Sequence, residues 1–291
     1  MVHPLAATTV PVHALCYRLR PLLRSYALLV LFLLPLLGWC QLRNAQWVYG
    51  TNLRLSFTDG AYERLAHSDT VSERNACISD PAGNLALLVD DRGIRNGQFG
   101  YVAGGAAPQL GWYATMGNQL ILPDPGEPLR YWVFTVEAGS GARAGYTQVD
   151  LTLNGGAGAV VGAGTTWFMY DCTAKLSATL DEAGTGYWVA LHKASGAEYH
   201  AYHLSADGFD PEPVISHTGR SYVAHSGEHF NADRWGPMVF SVQGERLASV
   251  VHGVALDTNG VEVCTFDRAS GAVSLEYMLY DPAFQYTIWP Q

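Results

Sequence analysis

Six histidines fall between positions 192 and 229: His192, His200, His203, His217, His225 and His229. The pairs His200-x-x-His203 and His225-x-x-x-His229 have the spacing of metal ligands. That spacing brings side chains together on a helix, but the surrounding residues alternate with the period of a strand. On a strand, His200 and His203 point to opposite faces. The histidines therefore read as satisfied polar surface residues of strands and loops, and no metal site is assigned.

Carboxylates are the second candidates. Asp90, Asp91, Asp150, Asp171 and Glu228 could supply the paired acids that cleave glycosidic bonds, which need two carboxyl groups about 5–10 Å apart. Asp90-Asp91 most simply closes a hairpin, and Asp150 is placed to bond to the Gly155-Gly156 turn. No G-x-S-x-G nucleophile motif occurs, and Gly155-Gly156-Ala157-Gly158 lacks the Lys-Ser/Thr of a phosphate loop. That run predicts positive-φ turns. Trp112, Trp132, Trp167, Trp188 and Trp235 could form a sugar-stacking platform, but strand alternation turns such residues inward as packing. No catalytic, cofactor-binding or metal-binding residue is assigned, and no cofactor is expected.

The elements that must position these side chains are strands. Charged residues make up only 15% of the chain and hydrophobic ones 48%, with 31 glycines, a mix that suits short strands and tight turns. Asn75–Ser79 leads into the turn Asp80-Pro81-Ala82-Gly83-Asn84, and Leu85–Val89 follows, a hairpin signature. Gln119–Pro123, the turn Asp124–Pro128 and Tyr131–Val136 repeat the pattern. Further strands are read at Trp47–Phe57, Lys175–Leu180, Tyr187–His192, Glu198–Leu204, Met238–Val242, Leu247–Val251 and Val261–Asp267. No helix of ten or more residues is expected beyond the leader. Cys77, Cys172 and Cys264 form neither a disulfide framework nor a CxxC pair, and read as buried thiols.

That leader is Arg18, Arg20 and Arg24, then the apolar run Tyr26–Leu37, then Gly38-Trp39-Cys40. A basic region, a short apolar core and small residues describe a secretory signal peptide over residues 1–40. The run is too short for a membrane span of about 20 residues. Residues 41–291 then form one acidic, exported domain with 14 basic and 26 acidic residues, a net −12. Such a charge argues against nucleic acid as a partner.

A weak repeat runs through the chain. Tyr131-Trp132-Val133-Phe134 and Tyr187-Trp188-Val189-Ala190 lie 56 residues apart, as do Gly145–Val149 and Ala201–Leu204, with Val263–Phe266 as a third copy. Units of this size fit the four-stranded blades of a β-propeller or partial propeller, with a large β-sandwich as the alternative.

In this order the segments resemble an exported β-propeller family of Bacteroidetes-type bacteria, found with gliding-motility-associated and type IX secretion sorting domains. The matching stretches are Trp47–Phe57, Cys77–Leu88 (CISDPAGNLALL), Pro123–Val136, Tyr146–Val160 (YTQVDLTLNGGAGAV), Lys175–Ala178 and Tyr187–His192. Leu87–Asp91 departs from the family's aromatic-Thr-Asp run. The chain also stops at Gln291, where such propellers continue, so a truncated gene or a different closure is expected. The resemblance implies a secreted or cell-surface, non-enzymatic module that binds a surface protein or glycan. A carbohydrate-active hydrolase on the same scaffold is the alternative. Trp47 and Tyr49 are expected to pack within the first blade.

Overall fold

Tyr131–Val136 is apolar at almost every position, which is how a strand buried on both faces reads. The computed structural model describes residues 42–57, 61–67, 69–72, 74–110, 112, 116–137, 142–221, 236–251 and 260–280. The signal peptide at 1–40, His225, Glu228, His229 and Trp235 lie outside the described residues.

The chain opens with a three-stranded antiparallel sheet of β1 (Gln46–Tyr49), β2 (Leu53–Ser56) and β3 (Glu63–Leu65). Blade I follows as β4 (Asn75–Ser79), β5 (Leu85–Asp90), β6 (Gly93–Asn96) and β7 (Tyr101–Ala106), and the short helix α1 (Ala107–Leu110) leads out of it. Blade II is β8 (Met116–Pro123), β9 (Arg130–Glu137), β10 (Arg143–Asp150) and β11 (Ala159–Tyr170). A single parallel bridge, Ala159 to Ala103, joins β11 to β7. Blade III is β12 (Cys172–Leu180), β13 (Tyr187–Lys193) and β14 (Tyr199–Ser205), with its outer strand split into β15 (Gly208–Phe209) and β16 (Val214–Ser216). Blade IV is β17 (Met238–Phe240), β18 (Arg246–Val251), β19 (Gly260–Phe266) and β20 (Val273–Tyr280).

The first strands β1, β4, β8, β12 and β17 lie side by side in chain order. Each sheet therefore stacks on the next, and its alternating residues divide between two cores. On β9, Tyr131 and Val133 enter the core shared with blade I, while Trp132, Phe134 and Val136 enter the core shared with blade III. On β13, Val189 and Leu191 face blade II, while Trp188 and Ala190 face blade IV. Val48 of β1 packs on Leu85 and Leu88 of blade I. A sandwich has two sheets and one core. This order of meandering four-stranded sheets with a core between each neighbouring pair is that of a β-propeller.

The turns after the first strands share one device. Asp80 Oδ1 accepts the Ala82 and Asn84 N–H groups, Asp124 Oδ1 those of Gly126 and Glu127, and Asp181 Oδ1 that of Thr185. In blade IV the Ser241 hydroxyl takes this place, accepting from the Arg246 N–H.

Three expectations are corrected. Trp47–Phe57 is a hairpin rather than one strand, because Gly50 at φ +53° turns the chain after Tyr49. Trp47 and Tyr49 point away from blade I and are 46% and 49% exposed. The 56-residue repeat pairs second strand with second strand (β9, β13) and third with third (β10, β14), but Val263–Phe266 is a third strand where a second was expected. The thiols are free, with Cys172 and Cys264 buried and Cys77 half-buried. Among the described residues no helix is long and apolar enough to cross a membrane.

Candidate functional site

Chemistry-bearing side chains converge where blade III meets blade IV. A groove of about 440 Å³ opens where the ends of β12 and β17 lie side by side. One wall is Ser177, Thr179 and Leu180, and the other is Val239, Phe240 and Val242. Leu180, Val239 and Val242 are exposed, so the mouth is apolar with hydroxyls behind it. Arg268, from the β19–β20 turn, fixes the rim. Its guanidinium donates to the carbonyls of Leu180 (3.0 Å) and Gln243 (3.2 Å) and to that of Asp181. The two turns that flank the groove are thereby held by one cation.

Deeper in the same interface sits a sealed polar cluster. Lys175 lies where the β12–β13 ladder is irregular, between Cys172 and Leu176, and its side chain leaves blade III altogether. Fully buried, it donates its ammonium to the Val250 carbonyl of β18. The Tyr199 hydroxyl donates to Glu262 Oε2 at 2.7 Å, a second link between the blades. His192 meets the Tyr199 ring edge-on at 4.5 Å and donates from Nδ1 to the Lys193 carbonyl at 2.6 Å. Ser249 is the cross-strand partner of Glu262, and both are fully buried.

Burial sets the electrostatics here. It pushes the Glu262 carboxyl above its ordinary range, opposed by the Tyr199 hydroxyl, the Arg220 N–H and the charges of Lys175 and Arg220. It also raises the Cys264 thiol to about 11, with the Glu262 charge adding to the effect. His192 is lowered to about 4, mainly by burial and partly by the charges of Lys175 and His200. The imidazole is thus neutral at physiological pH, and the cluster ties blade to blade without reaching solvent.

The residues singled out by type and spacing are scattered, and His192, expected at the surface, is instead fully buried between the blades. His200 and His203 take opposite faces of β14: His200 bonds to Glu198 at 3.3 Å, and His203 bonds to Asp181 at 3.2 Å and packs on Trp188. His217 also reaches Glu198, at 3.4 Å. Among the described residues no group of three or more His, Cys, Asp or Glu side chains could hold a metal ion. Asp90 is buried against Arg95 in blade I and accepts the Arg92 and Ser72 N–H groups, while Asp91 is exposed in the turn that follows. Asp150 bonds to Thr152 and Arg130, not to the Gly155-Gly156 turn. Asp171 holds Ser195 between blades II and III. Asp90 and Asp150 bond within their own turns, to the Arg92 and Thr152 N–H groups, whereas Asp171 reaches across to the β13–β14 turn. Gly155, Gly156 and Gly158 do take positive φ, at 65°, 91° and 87°.

The tryptophans pack. Trp112, Trp132 and Trp188 are buried with their indole N–H groups bonded to Thr165, Asp124 and the Arg268 carbonyl, and Trp167 packs against the core between blades I and II. Trp132 belongs to a nest with Phe134, Tyr146, Phe168, Tyr202 and Phe209 between blades II and III, with centroids 4.7–6.4 Å apart. Spacing alone did not reveal Lys175 or Glu262. The one available signal was a charged residue at an inward position of an otherwise apolar strand.

No family model matches the chain, and no curated protein matches it. Among solved structures it is similar to a quinoprotein alcohol dehydrogenase-like protein of Bacteroides thetaiotaomicron, at 10% identity and a TM-score of 0.36, covering 81% of this chain and 66% of that one. It is also similar to the hydrazine synthase of Kuenenia stuttgartiensis, at 13% identity and a TM-score of 0.27, covering 55% of this chain and 48% of that one. The chain thus spans just under two thirds of the first of these proteins and about half of the second.

Proposed function

We propose that this chain is a secreted or cell-surface, non-enzymatic propeller module that binds a surface protein or glycan, as the resemblance to exported Bacteroidetes-type propellers implies. The observation that carries this reading is the groove between β12 and β17. Its apolar mouth of Leu180, Val239 and Val242, backed by Ser177 and Thr179, suits an extended polypeptide with an aliphatic side chain. None of the described side chains lining it is a carboxylate, the group that glycoside hydrolysis needs in pairs. Propellers present their loop-rimmed ends to partners, and the groove lies at such an end.

The test is a peptide and glycan array probed with the chain from Leu42 onward, compared with Leu180→Asp and Val239→Asp variants. Binding to a set of extended apolar peptides, weakened about tenfold or more by either substitution, is the expected result. Binding that neither substitution alters would place the site elsewhere. Release of sugar from an arrayed glycan would replace a binding module by a hydrolase.

A further inference from the structure

The groove between blades III and IV carries a cation that the chain does not neutralise. Arg95, Arg130, Arg143 and Arg246 each pair with a carboxylate, of Asp90, Asp150, Glu137 and Glu276 in turn. Arg268, at the groove rim, bonds instead to the backbone carbonyls of Leu180, Asp181 and Gln243. Among the described residues no carboxylate comes within ion-pair distance of it. The aspartates beside it are committed elsewhere. Asp181 bonds to His203 and the Thr185 N–H, and Asp267 to the Ser270 hydroxyl and the Ala269 N–H. Glu182 and Glu245 are exposed and do not line the groove.

Backbone carbonyls hold the guanidinium in place without cancelling its charge. Their bonds fix its plane and leave part of its fork of N–H donors uncommitted. A guanidinium fixed in this way is pre-organised for a carboxylate, which it can take in a bidentate pair. Its surroundings are apolar. Leu180 supplies one of the carbonyls, Val242 directly precedes Gln243, which supplies another, and both aliphatic side chains are exposed. Gly244, at φ +76°, lets the β17–β18 turn close on this site, since an added methyl carbon would overlap the Thr179 hydroxyl and lie 3.1 Å from Arg268 Cδ.

A cation set between two exposed aliphatic side chains suits a residue that carries an anion and an apolar group together. The last residue of a polypeptide does so, with carboxylate and side chain on one Cα. An internal acidic residue holds its charge at the tip of its own side chain and needs a second residue for the apolar wall. The groove, at about 440 Å³, falls in the lower part of the roughly 300–1,000 Å³ range of ligand pockets. That is room for a chain end and not for a folded surface.

We propose that the groove captures the C-terminal carboxylate of a partner polypeptide that ends in an aliphatic residue. Arg268 binds the carboxylate, Leu180 and Val242 flank the last side chain, and the hydroxyls of Ser177 and Thr179 face the peptide groups that precede it. The capture depends on the groove being a peptide site, as proposed above, and adds which part of the peptide it holds.

The test uses the array protein, the chain from Leu42 onward, with peptides that end in leucine, valine or isoleucine. Each is made with a free C-terminal carboxylate, as the C-terminal amide, and as that amide with glutamate before the last residue, and fluorescence anisotropy reads the affinity. The free acids are expected to bind about tenfold or more tighter than their amides, as for a hydrogen-bonded charge pair. Arg268→Gln, its fold verified by circular dichroism, is expected to abolish that difference. The comparison of acid with amide uses the unsubstituted chain, so it stands even if the variant does not fold. Acid and amide bound equally would overturn the capture of chain ends and leave the groove as a site for extended peptides. Glutamate-bearing amides bound as tightly as the free acids would overturn it in favour of an internal acidic residue, and so would a folded Arg268→Gln variant that keeps the preference. Binding of no peptide in any form would overturn both the capture and the peptide reading of the groove.

Discussion

Consider His192→Phe. The imidazole is fully buried against Tyr199 and lowered from 6.5 to about 4, so the folded chain resists taking a proton that the unfolded chain accepts readily. A group with a depressed folded value contributes stability that is present above the unfolded value and lost as pH falls toward the folded one. The full gap is worth about 3 kcal/mol, and about 2 kcal/mol of it is lost between about pH 7.5 and about pH 5. Phenylalanine keeps the ring contact but loses the bond to the Lys193 carbonyl, a pH-independent cost of about 1 kcal/mol. The variant is therefore expected to be the less stable protein at about pH 7.5 and the more stable one at about pH 5. Urea unfolding followed by tryptophan fluorescence, at constant ionic strength, reads both values. Other groups titrate in this window, including His200, whose value burial also lowers, but they are common to both proteins and cancel in the difference apart from the coupling of His200 to His192. A penalty for the substitution that stays the same at both pH values, within about 0.5 kcal/mol, would show that His192 is not held neutral by its surroundings.

Glu262→Gln tests the same interface with the opposite sign. Burial raises the folded carboxyl, so Glu262 helps the fold below its ordinary range and ceases to do so as pH rises through the raised value; the variant should gain on the parent as pH increases, read by the same unfolding series. Gly271→Ala should cost about 2 kcal/mol or more in thermal unfolding, because the residue sits at φ +77° and an added methyl carbon would lie 2.7–2.9 Å from the Trp188 ring. Leu191→Ala, in the sealed core between blades II and III, should cost about 2–5 kcal/mol by chemical denaturation.

The strands that were legible in the sequence are those pressed between two cores. Tyr131–Val136 and Tyr187–His192 are apolar on both faces, and aspartate-led turns punctuate them. Gly93–Asn96, Tyr101–Ala106 and the glycine-interrupted Ala159–Tyr170 were not legible, because their pairing comes from neighbouring strands and not from their own composition. The fate of Trp47 was misjudged for a related reason. Alternation tells which residues share a side of a sheet, but only the order of the sheets tells which side is covered. Lys175 shows the same limit from the polar end, since its burial depends on a carbonyl 75 positions further along the chain.

Residues on either side of one strand answer to different neighbours, and this governs how the molecule comes apart. No sheet owns a core, so a blade cannot melt without stripping one face from the blade before it and one from the blade after it. Cooperativity is then a matter of adjacent pairs, as in a one-dimensional array, and not of a single global nucleus. Among the described residues the first sheet and blade IV each share a core with one neighbouring sheet, and they should lose amide-exchange protection first, with β9 and β13 holding it longest.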